Sequence, residues 1–128
     1  MSVIANKIDR RSIGHAGEAY VARRLQEEGF TIVAQNYTIF AGEIDVIAQK
    51  DDLVVFVEVK TRKNALIDPA YAITWSKQKK IIGAAQHFLS TQMRGVELTF
   101  RFDVALLAVG EAGQMYMEYI RNAFQAEE

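Results

Sequence analysis

"GEIDVIAQKDDLVVFVEVKTRKN", Gly42 to Asn64, decides the fold. Val, Ile and Phe crowd both sides of Asp51-Asp52, which reads as two β-strands over about 43–50 and 53–61 joined by a two-residue turn. Yet Glu43, Asp45, Glu58 and Lys60 interrupt strands that otherwise look built for burial. With a two-residue loop, antiparallel pairing sets residues opposite each other when their numbers sum to 103, so Asp45 faces Glu58 and Glu43 faces Lys60. Directly opposed side chains have Cβ atoms about 4.5–5.5 Å apart. In this register one face holds Ile44, Val46, Ala48, Val55, Val57 and Val59 and is wholly apolar. The other holds Ile47, Val54 and Phe56 near the turn, with the four ionisable groups at the far end. Apolar residues on both faces predict a sheet covered by helices on both sides.

Outward from the hairpin, Ile13, Ala16, Tyr20, Val21 and Leu25 recur at helical spacing, which predicts a helix over about 11–29 with Ser12 as its cap and Gly29 as its stop. Phe30–Tyr37 is β-rich and reads as the first strand. Asp68-Pro69 marks the start of a second helix running to about Gln92, with Ile81, Ile82, Ala85, Phe88 and Leu89 along one stripe. Glu97–Val109 and Gln114–Phe124 read as a fourth and a fifth strand. The expected order is α-β-β-β-α-β-β in a single domain over 1–128, without repeats or linkers.

Composition narrows the function classes. The absence of cysteine excludes disulfide frameworks, thiolate zinc sites and cysteine nucleophiles. No apolar run approaches the roughly 18–20 residues that span a bilayer, and the opening residues lack the pattern of a secretory leader. A cytoplasmic protein with no membrane role is therefore expected. Net charge is −1, but its distribution is uneven: Lys60, Arg62, Lys63, Lys77, Lys79 and Lys80 face only Asp68 between positions 60 and 80. That is compatible with a basic face or with an ordinary solvated helix surface.

Two carboxylates set opposite each other repel, more so when partly buried. A divalent cation satisfies them better than one ammonium does, and Mg²⁺ is bound by oxygens, typically one or two carboxylates plus substrate phosphate. Asp45 and Glu58 supply carboxylates, and the main-chain carbonyl of Val59 can add a third oxygen. Lys60 would sit beside the metal's water. Such a set suits phosphodiester hydrolysis with Mg²⁺ or Mn²⁺. The alternative is an internal salt-bridge set, with Glu43 paired to Lys60 and either Asp45 or Glu58 protonated.

"GEIDVIA" followed by "VFVEVKTR" resembles the YraN family of bacterial proteins, which is assigned to the restriction-endonuclease-like, PD-(D/E)xK nuclease superfamily. "GHAGEAYVARRL", "KQKKIIGAAQHFL" and "RFDVALL" extend the resemblance over most of the chain. It implies a restriction-endonuclease-like three-layer α/β/α sandwich with a mixed central sheet, similar to archaeal Holliday-junction resolvases. It also implies a metal-dependent endonuclease acting on DNA rather than RNA, branched or damaged DNA included, and it admits a homodimer because resolvases act as dimers. By the same similarity Glu18 joins the metal site. Lys77 precedes Ile81 by four positions and is expected to turn inward to the site or a phosphate, unlike Lys79 and Lys80. Arg62 and Lys63 are expected on phosphates, and Glu43 behind Lys60 or the metal's water. The sequence departs from the superfamily in placing Ile44, not proline, before Asp45. A non-catalytic nucleic-acid-binding protein of nuclease fold is the second function class. His15 and His87 read as surface positions, Trp75 and Tyr71 as core packing, and Thr61 as a strand end.

Overall fold

The computed structural model describes residues 10–65, 68 and 73–126. Among the described residues seven elements follow one another: α1 (Arg10–Glu27), β1 (Thr31–Ile39), β2 (Gly42–Lys50), β3 (Leu53–Lys63), α2 (Trp75–Gln92), β4 (Thr99–Val109) and β5 (Met115–Phe124). This is the order that the periodicities predict. The strands form one mixed sheet in the order β1-β2-β3-β4-β5. All neighbours are antiparallel except β3 and β4, which run parallel because the α2 crossover joins them.

The helices cover opposite faces. Val21 and Leu25 of α1 bury against Val46, Ala48, Val55, Val57, Ala105 and Leu107. Ile81, Ala84, Ala85 and Phe88 of α2 bury against Ile44, Ile47, Val54, Phe56 and Phe102. Alternate residues of β3 thus feed two separate cores, as a strand buried on both sides must. No helix among the described residues is long and apolar enough to cross a membrane.

The ends of the elements follow local chemistry. Gly29 takes φ +97°, and the Phe30 N–H donates to the Leu25 carbonyl at 3.0 Å, closing the end of α1. Asp51 takes φ 54° in the two-residue turn, a left-handed position that Asp tolerates. The α2 helix starts at Trp75, where the Thr74 hydroxyl accepts the Lys77 N–H at 3.1 Å. That corrects the expected start at Asp68-Pro69; Pro69 itself lies outside the described residues. Ser12 also sits within α1, whose first described residue is Arg10, and does not cap it.

The hairpin register is as the two-residue turn predicts: Lys50↔Leu53, Gln49↔Val54, Ala48↔Val55, Ile47↔Phe56 and Val46↔Val57. One face assignment fails. Ile44 joins the α2 core rather than the set with Val46 and Ala48. The strict alternation of β2 breaks at Asp45, one residue beyond the last main-chain pair with β3.

Candidate active site

That break builds the site. Asp45 does not project from a sheet face. Its Oδ2 accepts the Val59 N–H at 2.8 Å, so a side chain takes the place of a main-chain partner where β2 and β3 part. In an extended strand the N–H and C=O of one residue point to the same edge. The Val59 carbonyl therefore faces the same opening as Asp45.

Glu58, one residue earlier on β3, is only 4% exposed. Its carboxyl is close enough to Asp45 to hydrogen-bond with it, and two ammonium groups attend it. Lys60 Nζ lies 3.6 Å from Glu58 Oε2 along the same strand, and Lys77 Nζ lies 3.6 Å from that oxygen, from the first turn of α2. Burial comes first among the influences on Glu58, followed by the hydrogen bond to Asp45 and its charge, and together they push its pKa up to about 8. Lys77 and Lys60 pull it back only in part. Near neutrality Glu58 is therefore mostly the protonated partner of Asp45.

From the other side of the sheet, α1 brings Glu18 toward the same opening. Its pKa is raised, first by burial and then by Asp45, with a smaller push from Glu43. Opposing these, a hydrogen bond from Asn36 and the charge of His15 favour its ionised form. Asn36 reaches it from β1 through a left-handed kink, φ 52°. The helix can approach this closely because Gly17 carries no side chain: a Cβ there would lie 2.0 Å from Thr61 Oγ1. Thr61 Oγ1 itself is buried and has no hydrogen-bond partner among the described residues. The opening between β2 and β3 thus gathers groups from both helical layers through the sheet.

Asp45, Glu58, Lys60 and Lys77, all expected at the site, come together there, and Val59 is tied in through its main chain. Glu18 is coupled to Asp45. Among the described residues no three His, Cys, Asp or Glu side chains stand close enough to hold a metal ion unaided. The donor set that fits a hard divalent cation is therefore two carboxylates and the Val59 carbonyl, leaving positions for water and phosphate. Crowding of two acids, relieved here by protonation, is the condition that such a cation would relieve instead. Glu43 is exposed and adds to the negative field at Glu18. It is not Lys60's partner, because the strands part before that pair can form, and Lys60 turns to Glu58.

Arg62 and Lys63 are exposed at the end of β3. With Lys60 and Thr61 they line a groove of about 580 Å³ beside Ile13 and Gly14 of α1. His87 is exposed and shares a 2.6 Å hydrogen bond with the Tyr37 hydroxyl. Trp75 corrects the core assignment: it is 63% exposed. Tyr71 lies outside the described residues.

Sequence reasoning gave no part in the site to Asn36, His15 or Gly17, whose contributions depend on contacts between distant segments. It also left Asp103 without a role. Asp103 is fully buried and takes hydrogen bonds from Arg101 at 2.8 and 2.9 Å, the Tyr119 hydroxyl at 2.6 Å and the Asn122 N–H at 2.9 Å. Those partners tie β4 to β5 at a register shift, so its part is structural.

Residues 17–107 match the uncharacterised protein family UPF0102. A UPF0102 protein of Myxococcus xanthus is 38% identical over 120 residues, covering 92% of this chain and 93% of the relative. One from Saccharophagus degradans is 41% identical over 116 residues, covering 90% and 94%. One from Treponema pallidum is 45% identical over 96 residues, covering 74% and 76%.

Proposed function

The chain belongs to the UPF0102 family, and we propose that it is a metal-dependent nuclease of restriction-endonuclease-like fold that hydrolyses phosphodiester bonds in DNA. The observation that carries this reading is the meeting of Asp45, Glu58 and Lys60 where β2 and β3 part. A protein that only binds a polyanion gains nothing from setting a buried carboxyl and a half-buried one side by side next to its lysines.

In this reading Asp45, Glu58 and the Val59 carbonyl would hold Mg²⁺ or Mn²⁺, which supplies an electrophile for a phosphoryl oxygen and an acidified water. Glu58 must give up its proton to become a ligand, so occupancy of the site is linked to pH. Lys60 holds an ammonium beside Glu58, placed to offset charge that develops on the phosphate. Lys77 supplies a second ammonium from the opposite helical layer and keeps Glu58 and Asp45 from repelling the substrate. Glu18 sits behind Asp45, where its charge state sets the field that Asp45 feels. Arg62 and Lys63 take phosphates along the groove and fix the strand's position without reading its sequence.

The test joins a binding readout to a chemical one. Mg²⁺ or Mn²⁺ should raise the melting temperature of the wild type and leave that of Asp45→Ala nearly unchanged. Linear, single-stranded and four-way-junction DNA should then be cut in a metal-dependent way, with Lys60→Ala slower by about 10²–10³-fold. Undiminished cutting by both Glu58→Ala and Lys60→Ala would remove the chemistry. Binding by the metal-loaded wild type without any cutting would favour a non-catalytic DNA-binding role.

A further inference from the structure

Trp75 is the only tryptophan in the chain and opens α2, two residues before Lys77. The indole is 63% exposed rather than packed, although a large aromatic surface is costly to leave in water. Its orientation is held: Lys79 Nζ lies 3.8 Å from the ring centroid, one helical turn along. The ring stands beside a groove of about 790 Å³ between α2 and the end of β5, whose lining includes Ile82 and the amide side chains of Gln86 and Gln125.

One exposed apolar residue alone would be ordinary. An oriented indole with an ammonium on one face, a groove alongside and amide groups within that groove has the makings of a stacking platform. We propose that Trp75 stacks on an unpaired nucleobase, so that the substrate carries single-stranded nucleotides flanking the bond to be cut. This inference rests on the nuclease reading and adds the substrate class to it.

The geometry sets the spacing. Residues two apart on a helix project to nearly opposite sides, so Trp75 and Lys77 are separated by about one helix diameter, ~10–12 Å. At ~3.4 Å per nucleotide in a stacked strand, and more in an unstacked one, that is at most about three nucleotides from a phosphate taken up beside Glu58. The path crosses the N-terminus of α2, whose dipole attracts phosphate. A base inside a duplex has both faces covered by its neighbours and cannot lie on an indole. An unpaired base can, and stacking of this kind tolerates any base.

The single tryptophan makes the test direct. The full chain, with EDTA to prevent cutting, is titrated with a fluorescein-labelled single-stranded 12-mer and with a blunt hairpin duplex of equal nucleotide count. Anisotropy reads binding in the labelled strand, while the emission of Trp75 is followed with unlabelled DNA. Single-stranded DNA should quench that emission by half or more, and the duplex should leave it nearly unchanged. Trp75→Ala should weaken single-strand binding by about tenfold, while Trp75→Phe should keep most of the affinity. Anisotropy that shows binding with unaltered emission, or a Trp75→Ala protein that binds as wild type does, overturns the platform. In that event metal-dependent cutting by the wild type would still stand, so the two ideas fail separately. Quenching by unrelated peptides but not by the 12-mer would mean a protein ligand and would equally overturn it.

Discussion

Replacing Glu58 by Gln should stabilise the protein in alkaline solution, and the size of the effect follows from the burial of Glu58 beside Asp45. Glu58 ionises at about 8 in the folded chain instead of its ordinary 4.5, chiefly through burial and then through Asp45. Below pH 4.5 folded and unfolded chains both hold the proton. Between 4.5 and about 8 the unfolded chain has released it and the folded chain has not, so stability falls as pH rises. Above about 8 both are charged and the loss is complete. At ~1.4 kcal/mol per pH unit the loss amounts to about 3–5 kcal/mol. A carboxamide can donate to Asp45 as the protonated acid does, yet never ionises. Urea unfolding in EDTA at pH 5, 7 and 9 should therefore give nearly matching stabilities for wild type and Glu58→Gln at pH 5. At pH 9 the variant should lead by most of that span. Equal stabilities at pH 9, or a wild type that gains on the variant as pH rises, would refute the protonated pair.

Three further outcomes follow from the same geometry. Lys77→Met removes one of the two ammonium groups that favour ionised Glu58. With that substitution in both backgrounds, the pH at which the stability gap between native Glu58 and Glu58→Gln stops widening should move upward; the same urea series reads this. Gly17→Ala places a Cβ 2.0 Å from Thr61 Oγ1 and forces α1 away from β3, which should cost about 1–3 kcal/mol in a thermal melt. Asp103→Ala strands the Arg101 guanidinium, the Tyr119 hydroxyl and the Asn122 N–H, and should cost about 3–5 kcal/mol in chemical denaturation without altering metal-induced stabilisation.

Much of this molecule was legible in the residues because period and turn chemistry agree. Asp51-Asp52 fixed the hairpin register, and the spacing of Lys77 from Ile81 turned its ammonium inward. What was not legible came from departures from regularity and from tertiary contact. Perfect alternation placed Ile44 on the wrong face, because nothing local says that Asp45 will bond a main-chain N–H across the gap. The same lapse kept Lys60 with Glu43 on paper when its partner is Glu58. A tryptophan near a helix start reads as core from composition alone, and only the packed structure leaves Trp75 in solvent. Asn36 and Gly17 gave no signal, since a left-handed kink in a strand and a close helix approach are decided by the segments they meet.

The two-residue hairpin has a consequence for the order of assembly. Its strands can zip within microseconds, as short antiparallel ribbons do, because closing so small a loop costs little entropy. Lys77 and β4 come from later in the chain and dock only after the α2 crossover has been threaded, a slower, long-range event. Asp45, Glu58 and Lys60 are thus neighbours before Lys77 arrives, and the growing chain must pass through a stage in which Lys60 alone offsets the two carboxylates. Acidic conditions should ease that stage and alkaline ones delay it, so the speed of maturation, and not just its end point, is written into one pair of acids.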